Sequence, residues 1–282
     1  MTAFPAYGLA DEGPITTISA DRVPQQAMQD LVDGLLRYEL WGRLAMHDIR
    51  QRFRRSVLGP LWLTLSMGIM VASLGLVFST LFRQNMGLML PFIATGLIFW
   101  GLLTSCLTDG TLVFISAESY IRNVPNPLSV HLYRMIARNL IIWMFNMVIY
   151  LAVAVWGHVP LSWNMLAFFP GMVLFVVNIF WMSLVAGILS TRYRDIPPVI
   201  TNLVQVVFFV TPVFWSPDSL PNRPAFIAFN PFYHMLELVR APLLGQSVPA
   251  LSWGFTLLMA AVGTGVALLL YRRAHARIAY WV

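Results

Sequence analysis

The sequence predicts an all-α polytopic membrane protein with six transmembrane helices. Of the 282 residues, 58% are hydrophobic and 11% are charged, whereas a soluble domain contains about 25% charged residues. Six stretches of the chain are mostly apolar over about 20 residues, the length that a helix needs to cross a bilayer. All 18 basic residues are arginines, and they cluster in the connections between these stretches. A helical membrane bundle accounts for all three observations.

The arginines predict how these helices are oriented. The predicted spans cover residues 61–82, 88–108, 139–157, 165–190, 196–215 and 251–271. Fifteen of the 18 arginines lie ahead of the first span, after the sixth, or in the loops that follow the second and fourth spans. All of these regions are on one side of the membrane, and positive segments stay in the cytoplasm. Both termini are therefore predicted to be cytoplasmic, which requires an even number of crossings.

Two segments precede the first span. Residues 1–27 contain Pro and Gly and lack a basic start followed by an apolar core, so we expect a mobile cytoplasmic tail and no cleaved signal peptide. In residues 28–56, apolar side chains recur near helical spacing and arginines occupy other positions. This pattern predicts an amphipathic helix that lies at the membrane interface. Packing of the same helix on a soluble partner is the alternative.

The outer segment between spans five and six is predicted to contain two short helices. Asn230 is a suitable cap for a helix that begins at Pro231, and Glu237 and Arg240 are close enough on that helix to pair. Its apolar stripe consists of Phe232, Met235, Leu236, Val239 and Leu243. With the apolar residues 225–229, this helix predicts a re-entrant hairpin that dips into the outer leaflet. An ordinary loop helix outside the membrane is the alternative.

Several chemical functions are excluded by residue types and motifs that the sequence lacks. The five histidines are scattered without the spacing of metal ligands, so no metal site is predicted. No nucleophile motif of the G-x-S-x-G type occurs, and a chain without lysine cannot form a normal phosphate-binding P-loop. We therefore predict that the chain is not an enzyme and holds no cofactor. The net charge of +6 is attributed to topology, and no nucleic-acid partner is expected.

Polar residues within the spans favour one class of transport over another. Ionisable groups are scarce there, and the clearest is Asp109 at the end of the second span. Proton-coupled transporters carry such groups within their spans, so a self-contained secondary transporter is the disfavoured alternative. The fifth span instead spaces Asn202, Gln205 and Phe209 three and four residues apart. A lining of amides and aromatic faces suits a neutral, hydroxyl-rich substrate.

Five segments resemble the membrane subunits of polysaccharide ABC exporters, the ABC-2 permease family. These are RFRRSVLGPLW (52–62), the segments 120–141, 189–215 and 230–245, and RIAYWV (277–282). The five occur in the same order as in the family and are most similar to its O-antigen branch. The chain departs from many relatives at Phe145-Asn146, where they have His-Asn, and at His47-Asp48, where a basic-acidic pair is common.

The resemblance implies a function, partners and a location. Residues 57–282 would form a permease domain that exports a lipid-linked polysaccharide, most similar to the O-antigen of lipopolysaccharide, across the bacterial cytoplasmic (inner) membrane. Two copies of the chain would pair among membrane lipids and bind two separate ATPase subunits, which hold the ATP and Mg²⁺. The same fold could instead export teichoic acid, capsule or galactan. A membrane scaffold without a transport role is disfavoured.

The resemblance also implies three sets of site residues. A coupling helix that docks on the ATPase corresponds to Glu118, Ser119, Tyr120, Ile121, Arg122, Asn123 and Val124. Membership of spans one and five, which face the channel in the family, predicts lining roles for Trp62, Phe78, Gln205, Phe209 and Trp215. An outer gate above the channel is expected to include Phe226, Phe232, Tyr233, Glu237 and Arg240.

Overall fold

The predicted fold class is confirmed, because the chain is a polytopic bundle of α-helices. A computed structural model describes residues 23–57, 59–83, 85–124, 126–217 and 225–282, and within these ranges it has helices and no strands. Most of the predicted tail, residues 1–22, and part of the outer segment, residues 218–224, lie outside the described residues.

The described ranges contain eleven α-helices, of very different lengths. They are α1 (Val23–Leu36), α2 (Tyr38–Arg52), α3 (Leu61–Phe82), α4 (Met86–Thr111), α5 (Glu118–Asn123), α6 (Ser129–Trp156), α7 (Phe168–Arg192), α8 (Ile196–Val210), α9 (Ala225–Ala228), α10 (Pro231–Leu243) and α11 (Ala250–Trp281). Short 3₁₀ helices precede α5 and α7, at Ile115–Ala117 and Trp163–Ala167.

Five of these helices are long and apolar enough to cross a membrane. They are α3, α4, α6, α7 with the 3₁₀ helix before it, and α11. Helix α8 is equally apolar but has 15 residues, fewer than the roughly 20 that a straight crossing needs. The sixth crossing therefore stays a prediction.

Helix α4 is the centre of the bundle. It contacts α3, α6, α7, α8 and α10, and most of its residues are buried, from Met89 through Thr111. Helices α3, α6 and α11 bury a much smaller share of their surfaces. Their exposed side chains are mainly apolar, as a lipid environment or an apolar partner requires.

The bundle has two ends, which we name for the elements that form them. The terminal face consists of α1, α2, α5 and the last turns of α11, and the distal face consists of α9, α10 and the 3₁₀ helix Trp163–Ala167. The predicted interface helix, residues 28–56, is two helices on the terminal face, since the chain leaves helical geometry at Arg37 with a ψ of 42°. Helix α1 packs on α6 and α11, and α2 packs on α6.

The prediction that the fifth span extends to residue 215 is wrong. Helix α8 ends at Val210, and Thr211 is extended with φ −92° and ψ 134°. Thr211 precedes Pro212, and a proline disfavours helical geometry in the residue before it and cannot itself donate a helix hydrogen bond. The chain after α8 turns into the bundle, where Thr211 and Val213 are fully buried.

Candidate functional site

A cavity of about 770 Å³ lies between α3, α4, α6 and α8. Its wall on α4 is made of small and hydroxyl side chains, Gly101, Thr104, Ser105 and Thr108. These residues are spaced three, one and three apart and so lie on one face of the helix. Because they are short, they leave room between α3 and α8 where longer side chains would fill it.

The cavity is lined by uncharged polar groups, aromatic rings and aliphatic side chains, the last including Leu63, Met67 and Leu102. Further polar lining comes from Ser66, Asn139, Asn146, Thr201 and Gln205, and the aromatic lining comes from Trp100, Trp143, Phe208 and Phe209. The charged lining residues are Arg52 and Asp109, both on the side of the terminal face. Amides and hydroxyls can exchange hydrogen bonds with a ligand, and aromatic faces can pack on its apolar surfaces. The arrangement suits a neutral ligand rich in hydroxyl groups.

The structure brings together some of the predicted channel residues and separates others. Gln205 and Phe209 line the cavity. Trp62 is exposed near the start of α3, Phe78 packs against Phe214 with ring centroids 5.0 Å apart, and Trp215 lies beyond the end of α8. Their lining roles in a channel between two copies of the chain stay predictions.

Sequence reasoning missed the contribution of α4 to the cavity. Asn202, which shares the predicted polar series with Gln205, is exposed on α8 and lies outside the lining. The hydroxyl side chains of Thr104, Ser105 and Thr108 line the cavity instead. Their three-to-four residue spacing beside Gly101 is visible in the sequence and is the signal that could have found them.

The predicted coupling helix lies on the surface of the terminal face. Helix α5 covers Glu118–Asn123, and Val124 follows in an extended conformation. Glu118 and Arg122 pair at 3.0 Å, and Arg122 Nη2 also donates to the carbonyl of Val282 at 2.8 Å. Ser119, Tyr120 and Asn123 are exposed and Ile121 is half-buried. A helix held at one side and open on the other is available for a partner.

Four charged side chains connect α2, α4 and α6 beneath α5. Arg134 donates to Asp48 through both Nε and Nη2. Arg138 approaches Asp48 with Nη1 at 3.5 Å and Asp109 with Nη2 at 2.8 Å. The Asn139 side chain also donates to Asp109, at 3.0 Å. Asp109 is thus held in an ion pair on the wall of the cavity.

A second carboxylate on this face fixes α1 to the bundle. Asp30 accepts hydrogen bonds from the backbone N–H groups of Leu128 (2.7 Å) and Ser129 (3.0 Å) and from the Tyr271 hydroxyl (2.5 Å). Burial acts to raise the pKa of Asp30, but contacts with His275, Tyr271 and Ser129 outweigh it and lower the pKa below its ordinary value. The ionised form of Asp30 is therefore the form that stabilises the fold.

We expect the Asp30→Asn variant to lose about 2 kcal/mol of stability at neutral pH, because a neutral amide replaces a carboxylate that accepts several hydrogen bonds. Since the pKa of Asp30 is lowered on folding, its contribution is complete above the unfolded-state value of about 3.9 and is lost as pH falls through the lower folded-state value. Melting temperature in detergent should therefore drop more steeply with acidification in the wild type than in Asp30→Asn. Asp33→Asn, on the exposed side of the same helix, is the control, and an equal effect there would contradict the assignment.

On the distal face, α10 has the predicted start and the predicted ion pair. Asn230 Oδ1 accepts from the backbone N–H groups of Phe232 and Tyr233, which confirms the cap before Pro231. Glu237 and Arg240 pair at 2.9 Å. The re-entrant path of this segment stays a prediction, because residues 218–224 fall outside the described part of the chain.

Arg240 is a buried connector between α10 and the end of α8. The side chain is 2% exposed, and its guanidinium lies 4.2 Å from the centroid of the Phe92 ring. Arg240 Nη1 donates to the Pro212 carbonyl at 2.7 Å. Asn230 Nδ2 donates to the Thr211 hydroxyl at 3.0 Å. Helix α10 thus supplies polar partners to the chain that leaves α8.

The other predicted gate residues lie in different environments. Phe226 is exposed, and Tyr233 is half-buried. Phe232 packs against Trp100 with ring centroids 6.1 Å apart, and Trp100 in turn contacts Phe208 at 5.7 Å. Through these rings, α10 contacts the wall of the cavity. Their role as a gate stays a prediction.

Comparison with known proteins identifies the family. Residues 39–244 match the model of the ABC-2 type transporter family, a range that includes α3 through α10 and every lining residue of the cavity. The chain is 23% identical to the O-antigen export system permease protein RfbA of Myxococcus xanthus over 212 residues, which cover 73% of this chain and 80% of the relative. It is 25% and 26% identical to two proteins of the same name from Klebsiella pneumoniae, over 67% of this chain and 74% of each relative. This chain is therefore a member of the ABC-2 type transporter family, whose proteins are membrane permease subunits and not themselves enzymes.

Proposed function

We propose that this chain is the permease subunit of an ATP-driven exporter that moves a lipid-linked polysaccharide, O-antigen in the first instance, across the bacterial inner membrane. The observation that carries the proposal is the cavity of amides, hydroxyls and aromatic rings between α3, α4, α6 and α8. The names of the relatives, which are O-antigen export permeases, support the choice of polymer.

The cavity contains both hydrogen-bonding groups and aromatic rings with which the sugars of a polymer can interact as it passes. Gln205, Asn146 and Ser105 can exchange hydrogen bonds with sugar hydroxyls, and Trp100 and Phe209 can pack on the apolar faces of the rings. Each contact is weak and is replaced by a similar one on the next sugar, so a polymer can slide without a deep energy minimum. Charged sites that would hold one sugar firmly are confined to Arg52 and Asp109 at one end.

The energy comes from a separate ATPase in this proposal. The sequence has no lysine, and the lysine of a P-loop is what reaches the phosphates of ATP. Helix α5, with Tyr120 and Arg122 exposed on the terminal face, is the docking element, and the terminal face is cytoplasmic. Binding of ATP and Mg²⁺ by the partner would press on α5 and reshape the bundle.

A second copy of the chain completes the passage. Helices α3 and α8 flank the cavity and expose apolar side chains, among them Leu65 and Ile69 on α3 and Leu203 and Val206 on α8. In a homodimer these surfaces would face their equivalents across a two-fold axis, as isologous interfaces do. The cavities of the two copies would then border a shared channel.

The proposal is tested with the chain and the ABC ATPase that co-purifies with it from native membranes. We expect ATP hydrolysis by the complex and ATP-dependent transfer of lipid-linked polysaccharide into proteoliposomes. Phe209→Ala should lower that transfer about tenfold without loss of assembly, because it removes an aromatic contact worth about 1.5 kcal/mol. Phe169→Ala removes a phenylalanine that is exposed on α7 and lies outside the cavity lining, so it should leave the transfer unchanged.

Three results would contradict the proposal or its parts. Polymer movement that continues without ATP and stops when a proton gradient is removed would favour a secondary transporter. Transfer of teichoic acid, capsule or galactan, and not of O-antigen, would keep the exporter and change its cargo. Equal transfer by the Phe209→Ala and Phe169→Ala variants would show that the sugar chain does not pass through the cavity.

A further inference from the structure

The four charges of Asp48, Arg134, Arg138 and Asp109 form a continuous chain across three helices. We call this set the charge chain. Two carboxylates and two guanidinium groups give it no net charge, and the side chains are 10% to 37% exposed. Ion pairs that are partly shielded from water interact more strongly than those on an open surface. Loss of any one member leaves an unpaired charge beside the others.

The two arginines hold their carboxylates in different ways. Arg134 donates hydrogen bonds to both carboxylate oxygens of Asp48 through Nε and Nη2. This bidentate geometry fixes the orientation of both side chains. Arg138 is divided between two helices, with Nη1 3.5 Å from Asp48 on α2 and Nη2 2.8 Å from Asp109 on α4. Within the described residues its Nε is buried without a hydrogen-bond partner. Arg138 is therefore the arginine of the charge chain that divides its contacts between two carboxylates, Asp48 and Asp109.

The ends of the charge chain lie at the two places that the proposed function has to connect. At one end, the guanidinium of Arg134 lies 5.7 Å from the ring centroid of Tyr120 on α5. At the other end, Asp109 lines the cavity next to Thr108. Arg134 and Asp48 would move together because of their double contact, so a displacement of Tyr120 reaches Arg138 through them.

We propose that Arg138 is a positioning residue that transmits movement of α5 to the cavity by changing how it is shared between Asp48 and Asp109. When α5 moves, Asp48 shifts relative to Arg138, and the balance of the two ion pairs changes. Asp109 and the end of α4 then move with the altered pair. This inference rests on the proposed function, in which the ATPase acts on α5.

The first test measures how accessible one thiol in the cavity is to a labelling reagent, and it does not require transport. In a Cys106→Ala background, Ser105→Cys places one thiol in the cavity, one turn of α4 before Asp109. We expect Arg134→Gln and Asp109→Asn each to change the rate of maleimide labelling by on the order of fivefold. The double variant should match the single variants, because breaking the same connection twice adds nothing. Independent local effects would instead multiply.

The second test measures polysaccharide exported per ATP hydrolysed. Arg138→Lys keeps the positive charge, but one ammonium group cannot span two carboxylates as a guanidinium fork does. We expect its export per ATP to fall about tenfold while ATP hydrolysis persists. The exposed pair Glu39 and Arg43, with side chains 68% and 83% exposed, supplies the control variant Arg43→Gln.

The outcomes separate this inference from the proposed function. A wild-type complex without ATP-driven export would refute the proposed function, and the labelling experiment would still decide whether Arg134 and the cavity are connected. Multiplicative or absent labelling effects, or wild-type export per ATP in Arg138→Lys, would overturn the role of Arg138. If Arg134→Gln fails to fold, Arg138→Lys in the same labelling background decides the question, since a wild-type labelling rate would count against it.

Discussion

The Gly96→Ala variant is expected to lose about 3 kcal/mol of stability or more. A Cβ atom on Gly96 would lie 2.0 Å from the carbonyl oxygen of Val213, a contact that no side-chain rotation can relieve because the neighbour is backbone. The segment after α8 would have to leave its buried position against α4. The change should appear as a lower melting temperature in detergent and as loss of monodisperse protein on size exclusion.

A matched control lies on the same helix. Gly101 is also in α4, and a Cβ there would meet only the Met67 side chain, at an ordinary 3.7 Å. Alanine in place of glycine within a helix generally stabilises by about 0.5–1 kcal/mol, so Gly101→Ala should be neutral or stabilising. Equal destabilisation by the two variants would show that α4 tolerates no added methyl group and would refute the specific contact with Val213.

Arg240→Ala is expected to cost about 3–5 kcal/mol, because removing one member of a buried ion pair leaves the other uncompensated. The variant would leave Glu237 without its partner and the Pro212 carbonyl without its donor. A double variant, Arg240→Met with Glu237→Leu, should recover part of the loss, since it removes both charges and keeps the volume.

The Arg43→Ala variant provides the comparison for a pair exposed to water. Its partner Glu39 lies 3.4 Å away, and exposed pairs contribute at most about 1 kcal/mol. Melting temperatures measured in one detergent should separate the two arginines clearly. If Arg240→Ala melts no lower than Arg43→Ala, the connection between α10 and the end of α8 does not stabilise the bundle.

Local patterns in the sequence predicted the local structure of this protein. The Asn230 cap, the helix that begins at Pro231 and the pair of Glu237 with Arg240 depend on residues within ten positions of one another, and each was found as predicted. The end of α8 was missed although Pro212 was a visible signal. The apolar residues around it resembled a continuous span, and hydropathy does not record where a buried backbone finds its hydrogen bonds.

The candidate site was harder to predict because its residues come from distant parts of the chain. Gln205 and Phe209 followed from the pattern of one helix, but the hydroxyl face of α4 becomes a wall only when α3 and α8 pack beside it. Asp48 and Arg134 are 86 residues apart. Single residues of opposite charge occur throughout the loops, and nothing in one sequence indicates which of them will meet.

The early end of α8 has a consequence for how the protein is made. With 15 residues, α8 is about 22 Å long at 1.5 Å per residue, and the buried chain after it depends on polar partners that are synthesised later. The Thr211 hydroxyl accepts a hydrogen bond from Asn230, which is synthesised 19 residues later. The Pro212 carbonyl accepts one from Arg240, which is synthesised 28 residues later. The chain that follows α8 therefore cannot form these two hydrogen bonds until Asn230 and Arg240 have been synthesised. Its maturation in the membrane should be timed by the synthesis of α10, and a ribosome stalled before Arg240 should leave this segment accessible to protease.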